Sequence, residues 1–376
     1  MFKDFNFKFQ GILLALIINS NIFIALNFPF NNFLTFISFL LLLFFSSKTD
    51  IKIFDQLKSF NLLVFIFILY VTFSLFQNPS NYSLNAYFKY LIILVICFIC
   101  SLQTNISIKV FLQTTVFLNF IFCLVSVYDV NIILLNENTN YLSATYTLGM
   151  SIIIILISMY FKFNFIKLGL FLFFLFAMIK FPSRGTIIFS LLVSCIFLVK
   201  HRPKKSFISK IVFWCLIVFL YYGIIFSIDY FLRDTYLLAR FEDLIYSSSE
   251  EPRIALYNQA LEGISINFLL GLGVGNSGIA LGNNLGVYPH NIFLEVFLEL
   301  GFIGLIIFLI LLTKSLVLCL KSYKLNNLGV FLFYIFLYAF FTFQKSFSLI
   351  FAQFLLIPLC LSFSIYKNNF IFKLKQ

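Results

Sequence analysis

A chain of 376 residues in which 62% are hydrophobic and only 11% are charged cannot fold as a water-soluble globule, because it has too few polar side chains to cover an apolar interior. Its mean hydropathy of +1.04 and its repeated apolar runs instead predict a polytopic membrane protein. The formal net charge of +12 requires no nucleic-acid partner, since basic loops at the inner face of a membrane meet anionic lipids. Membrane lipids are therefore expected partners, and nucleic acids are not.

The apolar runs predict an all-α fold, a polytopic helical bundle of about twelve transmembrane helices. Backbone groups in hydrocarbon must bond within their own segment, and the alternation that a barrel strand requires is absent from this sequence. The candidate spans lie near residues 9–27, 33–47, 60–77, 88–102, 109–128, 142–161, 164–181, 185–200, 211–228, 291–313, 327–343 and 347–366. They define an N-terminal bundle of nine spans (1–228), a polar loop (229–289) and three C-terminal spans (290–376).

The basic residues predict the orientation of these spans. With the N-terminus inside, nineteen of the 26 Lys and Arg residues lie in cytoplasmic loops, among them the cluster of five between Lys200 and Lys210. The other seven are Lys89, Lys180, Arg184, Arg233, Arg240, Arg253 and Lys345. Both termini are therefore expected in the cytoplasm, and the polar loop 229–289 on the opposite side of the membrane.

Two cations, Lys180 and Arg184, lie in the turn Lys180-Phe181-Pro182-Ser183-Arg184-Gly185 between the seventh and eighth predicted spans. Contact with lipid phosphates, or snorkelling of the long side chains to the interface, explains cations at this level without any specific site. Binding of a substrate anion by Arg184 is the functional alternative.

Two short helices are predicted in the polar loop. The first covers Asp229–Tyr246 and carries Arg233, Tyr236 and Arg240 on one face. This cationic stripe fits local ion pairing as well as anion binding, and the sequence leaves both possibilities open.

The second helix begins at Glu250-Glu251-Pro252, because acidic residues and proline are favoured in the first turn of a helix. Arg253 lies at its start and carries a planar, permanently charged guanidinium that suits bidentate binding of an anion. An ion pair with Glu250 or Glu251 is the structural alternative.

Four glycines punctuate the segment Leu270–Gly278 that follows this helix. Their spacing is superficially that of a phosphate cradle, but no strand precedes the segment and no Gly-Lys-Ser/Thr sequence closes it. We therefore expect a tight turn whose glycines allow another backbone to approach closely.

The sequence Tyr288-Pro289-His290-Asn291 places one of only two histidines where the polar loop enters an apolar helix. An imidazole titrates near neutrality and is therefore suited to proton transfer, although a lone histidine is more often a structural group. Glu295 and Glu299 follow within the same predicted span. Carboxylates inside a membrane helix are costly unless they are paired or face a wet cavity, so this end of the helix is expected to serve a specific purpose.

Taken together, these motifs resemble the O-antigen ligase and polymerase superfamily. The resemblance rests on Ser183-Arg184-Gly185 at the start of a span, a long outer loop with Arg240 and Arg253, a glycine turn, and His290-Asn291 followed after nine residues by Gly301 and Gly304. Asn267 stands where the family usually has proline, and Tyr257 where a tryptophan is common.

The resemblance implies a GT-C-like glycosyltransferase that needs neither a metal nor another cofactor. Its donor would be an undecaprenyl-diphosphate-linked glycan, used at the periplasmic face of the bacterial inner membrane. In this reading His290 is the catalytic residue that activates or positions the acceptor hydroxyl. Arg184, Arg253 and Arg240 bind the donor diphosphate, and Asn291, Glu299 and Arg233 are supporting residues.

The resemblance leaves the acceptor open. A ligase transfers the glycan to lipid A-core and a polymerase transfers it to another lipid-linked repeat; the intact His-Asn-x9-Gly-x-x-Gly pattern favours the ligase. A flippase or other transporter of lipid-linked glycan is the alternative from a different class. It would predict related halves and polar residues at mid-membrane in several spans, whereas here the charges gather at one face.

Overall fold

The computed structural model describes residues 2–25, 31–46, 58–102, 106–128, 141–179, 183–201, 252–282 and 287–374. Within these ranges the regular structure is helical. The α-helices are α1 Phe2–Ile18, α2 Ser20–Ala25, α3 Asn31–Ser46, α4 Lys58–Leu75, α5 Asn81–Leu102, α6 Ile108–Tyr128, α7 Tyr141–Phe161, α8 Phe165–Ile179, α9 Arg184–Lys200, α10 Pro252–Ile266, α11 Ser277–Ala280, α12 Ile292–Leu325, α13 Asn327–Phe343 and α14 Gln353–Leu374, with a 3-10 turn at Leu349–Phe351.

The described helices have the composition of a polytopic membrane protein. By length and composition, α5, α6 and α12 can each cross a membrane, and eight further apolar helices are 10–17 residues long. Many large apolar side chains on these helices are exposed, Phe65, Leu69 and Phe73 of α4 among them. Exposed aromatic and aliphatic side chains in such numbers suit a lipid environment and not water.

The chain forms two compact units. The first comprises the described parts of Met1–Ser20, Phe30–Thr114 and Pro252–Gln376. The second comprises the described parts of Asn21–Pro29 and Thr115–Glu251. In the second unit α7 packs against α8 and α9.

The kinked helix α12 organises the first unit. It packs against α4, α10, α13 and α14, and α5 packs against α4 and α14. With 34 residues, α12 is about 51 Å long, well beyond the roughly 30 Å of a bilayer hydrocarbon core. It carries charged residues toward both ends, Glu295 and Glu299 near its start and Lys314, Lys321 and Lys324 toward its C-terminus.

Several predicted boundaries differ from the structure. The first predicted span, 9–27, is interrupted at Asn19, whose side-chain amide donates to the Ala15 carbonyl at 2.7 Å, so α1 and α2 are separate helices. The span predicted over 291–313 continues to Leu325, and the last one is placed at 353–374 instead of 347–366 because a loop and the 3-10 turn precede it. The predicted span 211–228 and the predicted helix Asp229–Tyr246 lie outside the described residues.

Candidate functional site

Helix α10 carries Arg253 in its first turn and lies against α12. As predicted, the helix begins at Pro252, a residue that suits the first position because it needs no hydrogen-bond partner for a backbone amide there. Ala260 and Ile264 are buried with Leu298 of α12 in one apolar cluster, which Leu272 and Leu281 complete. This packing fixes α10, and with it Arg253, relative to the start of α12.

The glycine turn that follows α10 is held by a buried carboxylate. Glu299 accepts hydrogen bonds from the backbone amides of Gly275 at 2.8 Å and Ser277 at 3.3 Å, and it is only 2% exposed. Gly271, Gly273 and Gly275 all have positive φ, which bends the backbone around this group. The expected turn with close backbone approach is confirmed. Its backbone amides donate to a side chain of the protein itself, Glu299.

Gly301 breaks α12 at the level of this turn. Its φ of 67° and ψ of −172° belong to a region that essentially only glycine adopts. The broken turn frees backbone groups that must find new partners in an apolar setting. Carbonyls of Leu298 and Glu299 accept from the amides of Leu272 and Gly273, at 2.9 and 2.8 Å.

The amides beyond the kink are satisfied by the same segment. Phe302 donates to the Phe268 carbonyl at 2.8 Å and Ile303 to that of Leu269 at 3.4 Å. A Cβ added to Gly301 would lie against the backbone carbonyl of Leu269. The first glycine of the Gly-x-x-Gly motif is therefore required by the backbone geometry of α12.

The second glycine of the motif lets α4 approach. A Cβ on Gly304 would come within 2.9 Å of the Tyr70 ring, and the Tyr70 hydroxyl donates to the Leu300 carbonyl at 2.8 Å. Helix α4 thus satisfies another carbonyl that the kink exposes. The motif encodes a broken helix together with its two supports.

His290 lies in a left-handed backbone conformation just before α12. Its φ is +53°, the one positive value among the described non-glycine residues. Its ring contacts that of Tyr288, with centroids 4.3 Å apart, and the Tyr288 hydroxyl donates to the Ser346 carbonyl at 3.1 Å. Nδ1 of His290 is buried and has no hydrogen-bond partner among the described residues. Among the described residues, packing against the Tyr288 ring orients the imidazole.

Asn291 caps α12. Its side-chain oxygen accepts from the amides of Phe293 at 3.0 Å and Leu294 at 3.2 Å, which satisfies two of the unpaired donors at the helix start. Its amide group donates to the Gln344 side chain at 3.4 Å. The His-Asn pair therefore joins a residue with positive φ to a helix cap, and Tyr288 and Asn291 on either side of His290 bond to the loop that follows α13.

Glu295 holds the same loop from the other side. Its carboxylate accepts from the Ser348 hydroxyl and from the Leu349 amide, the latter at 2.9 Å. Glu295 and Glu299 are both 2% exposed and lie one turn apart on α12. Each carboxylate supports one of the two loops beside His290.

Arg253 lies near enough to His290 for its positive charge to act on the imidazole. Burial, and secondly the positive charge of Arg253, lower the pKa of His290 from 6.5 to about 4. Both causes disfavour the imidazolium, so His290 is neutral at physiological pH. The arrangement combines a cation that can bind an anion with an uncharged proton acceptor.

The structure thus brings Arg253, His290, Asn291 and Glu299 together within the first unit. Arg184 belongs to the second unit, where it is the first residue of α9. Arg233 and Arg240 lie outside the described residues. In the described part of the chain, no group of three or more His, Cys, Asp or Glu residues is arranged to hold a metal ion.

The loop 344–348 was not singled out from the sequence. Gln344, Ser346 and Ser348 all contact the segment 288–295. The available signal was a short polar interruption, Gln344-Lys345-Ser346, between two apolar runs. Its meaning depends on contacts more than fifty residues apart along the chain, which periodicity does not reveal.

Fold and site together define an all-α membrane protein with a buried carboxylate scaffold beneath an arginine and a neutral histidine. Residues 168–309 match a family model described as O-Antigen ligase. A segment of 152 residues is 29% identical to the ComP-specific O-oligosaccharyltransferase of Acinetobacter baylyi, covering 37% of this chain and 26% of that protein. Both matches support the resemblance to the O-antigen ligase superfamily that the motifs indicated, and the chain spans only about a quarter of the length of that relative.

Proposed function

We propose that this protein is a glycosyltransferase of the O-antigen ligase type. It moves a glycan from undecaprenyl diphosphate to lipid A-core at the periplasmic face of the inner membrane. The observation that carries the proposal is the packing of α10, which has Arg253 in its first turn, against α12, which begins directly after His290 and Asn291. The family match, which includes both residues, supports it.

The chemistry of the transfer explains why these two groups are needed. The acceptor oxygen forms a bond to the anomeric carbon, and the bond from that carbon to the lipid diphosphate breaks. Negative charge grows on the leaving diphosphate, where a fixed guanidinium stabilises it without reorganisation. The neutral imidazole accepts the proton that the acceptor hydroxyl loses. Displacement from the face opposite the leaving group inverts the anomeric configuration.

Bound donor is expected to improve His290 as a base. A group with a pKa of about 4 is a weak proton acceptor near neutrality. The diphosphate would offset the charge of Arg253 and favour the imidazolium, so the pKa of His290 rises once the donor is bound. Proton transfer is thereby linked to the presence of the leaving group.

Arg184 keeps its predicted role as a second donor ligand, on the strength of the family resemblance. Its place at the start of α9 supports this role, because the N-terminal end of a helix dipole favours an anion. Arg240 remains a further predicted diphosphate ligand and Arg233 a supporting residue. Asn291 and Glu299 act through the backbone that they hold.

Two further candidate functions differ from the ligase only in the acceptor. A polymerase would use the same donor with another lipid-linked repeat as acceptor. The similarity to a ComP-specific oligosaccharyltransferase favours consideration of a protein acceptor as well. All three reactions share the donor chemistry and differ only in which hydroxyl reaches His290.

Deletion of the gene in its host, followed by complementation, tests these alternatives. Lipopolysaccharide, lipid-linked glycan and glycoproteins are resolved by gel for the wild type, His290→Ala, Arg184→Ala and Arg253→Lys. Accumulated long lipid-linked polymer with bare lipid A-core identifies a ligase, and core carrying a single repeat identifies a polymerase. Loss of a glycoprotein alone identifies a protein acceptor.

His201→Ala is the matched control, because His201 is the other histidine of the chain and lies at the end of α9. It is expected to restore normal glycan. Normal glycan in the His290→Ala and Arg253→Lys strains, at wild-type protein levels in the membrane, would refute the proposed catalytic roles.

A further inference from the structure

The segment that ends α10 carries an exposed apolar tip, residues 266–270. Ile266, Phe268, Leu269 and Leu270 are 80%, 47%, 60% and 43% exposed, whereas the next residue, Gly271, is buried. Glu262, one turn before Ile266 on α10, is also exposed. The exposed surface therefore changes from charged at Glu262 to mainly apolar in the tip, where the partly exposed Asn267 is the one polar residue.

Backbone hydrogen bonds fix the level of the tip along α12. The carbonyls of Phe268 and Leu269 accept from Phe302 and Ile303, so the tip lies beside the eleventh and twelfth residues of that helix. This helix is long and apolar enough to cross a membrane, and the tip lies beside its residues and not beyond its end.

Helix α4 gives the same level independently. The Tyr70 hydroxyl donates to the Leu300 carbonyl, and Tyr70 precedes the end of α4 at Leu75 by five residues, or roughly 7 Å. Phe73 and Phe76, beyond Tyr70, are exposed as well. The apolar outer surface of α4 therefore extends past the level at which the tip lies.

The tip is continuous with the exposed apolar stripe of α12. The Phe268 ring stacks on that of Phe302, with centroids 5.2 Å apart and an interplanar angle of 21°. The stripe consists of Phe302, Ile303, Ile306, Leu309 and Ile310, each 39–43% exposed. A surface that continues a membrane-spanning helix faces the same solvent as that helix.

We infer that residues 266–270 are inserted into the hydrocarbon edge of one bilayer leaflet, with lipid acyl chains as their partner. Helix α10 then runs from this insertion to Arg253, thirteen residues or roughly 20 Å away along the helix axis. The insertion fixes how far the guanidinium can stand from the membrane. This inference concerns membrane depth and does not depend on the proposed transfer reaction.

Quenching of tryptophan by brominated lipids tests the insertion. The full-length protein is reconstituted into phosphatidylcholine vesicles with and without bromine on the acyl chains, in a Trp214→Phe background that removes the single native tryptophan. Leu269→Trp places the probe in the tip. Ile254→Trp, at an exposed position in the first turn of the same helix, is the matched control.

If the tip is inserted, the tryptophan of the Leu269→Trp variant has its emission maximum at a shorter wavelength than a water-exposed tryptophan. It also loses most of its emission intensity in brominated vesicles. Trp at position 254 keeps most of its emission there and is quenched by aqueous iodide. Ile266→Trp repeats the measurement at the most exposed tip residue if Leu269→Trp does not fold. A tip probe insensitive to brominated lipid would overturn the inference, whether iodide reaches it or a second copy or partner protein shields it.

Discussion

His290 combines a left-handed backbone, an aromatic neighbour and a nearby cation. At φ +53° the residue adopts a conformation that is uncommon for side chains other than Asn, Asp and His, and that costs roughly 1 kcal/mol or more. Burial against Tyr288 and the charge of Arg253 together keep the ring neutral. The residue is held in place at some expense in stability, which is a property of functional positions.

The lowered pKa gives the pH dependence of the reaction a definite sign. In the free protein His290 stays neutral down to about pH 4, so the acidic limb of kcat/KM is expected near 4 and not near 6.5. The contribution of the neutral His290 ring to the free energy of unfolding is fully present above pH 6.5 and is lost as the pH falls toward 4. The acidic limb of kcat, which reports the donor complex, should lie at higher pH.

Transfer rates measured from pH 3.5 to 8, with saturating and with limiting donor, check this prediction. Arg253→Ala should move the limb of kcat/KM upward, because the second cause of the shift is removed while burial remains. If the acidic limbs of kcat and of kcat/KM both lay near pH 6.5, His290 would not be a buried histidine with a lowered pKa.

Asn291 is expected to be more than a helix cap. Asn291→Ala removes the acceptor for two amides and should cost about 1 kcal/mol of stability. Asn326 caps α13 in the same way, accepting from the Gly329 amide at 2.9 Å, and supplies the matched variant Asn326→Ala. Thermal unfolding in detergent should show similar losses for the two.

Transfer activity separates the two asparagines. Only Asn291 also donates to Gln344 beside the His290 segment, so Asn291→Ala should reduce transfer well beyond Asn326→Ala. Asn291→Asp, which keeps the cap and loses that donor, should retain stability with impaired transfer. If all three variants transferred glycan equally well, Asn291 would be a cap and nothing else.

At the scale of elements, α12 is a broken helix whose two halves are joined to the rest of the unit by α4 and by the segment 268–273. In a regular helix the carbonyls and amides around Gly301 would bond to each other. At the kink they bond to partners in other segments instead. Glu295 and Glu299 add support on either side of His290. The site is therefore built on rigid elements, although its catalytic candidate lies in a loop.

Gly301→Ala should prevent correct assembly of this element. The new methyl group would occupy the space of the Leu269 carbonyl, and the required backbone conformation is nearly forbidden to alanine. We expect a loss of at least about 2 kcal/mol, seen as little folded protein by size-exclusion chromatography in detergent. Gly169→Ala in α8, where nothing lies within 4 Å, should fold normally. Wild-type yield of Gly301→Ala would show that the kink is dispensable.

For the whole molecule, the apolar runs were sufficient to predict most described helices, because membrane spans follow from composition. Pro252 and the glycines likewise indicated the start of α10 and the turn after it. The break at Asn19 and the kink at Gly301 were not predictable, since neither involves proline and both lie in apolar runs. The partners of Glu295 and Glu299 are 22 to 54 residues distant in sequence, so only the folded chain reveals that both carboxylates are satisfied.

Topology is the whole-molecule property that the charges predict most directly. Nineteen of 26 basic residues fall on one side if both termini are cytoplasmic, and basic loops are retained there by interaction with anionic lipid and by the insertion machinery. Alkaline phosphatase fused after residue 250 should therefore be active, and the same enzyme fused after residue 205, within the basic cluster, inactive. Green fluorescent protein at the C-terminus should fluoresce. The proposed function requires Arg253 and His290 to face the side on which donor glycan is presented, so an active fusion at 205 with an inactive one at 250 would place both residues in the cytoplasm and exclude periplasmic transfer.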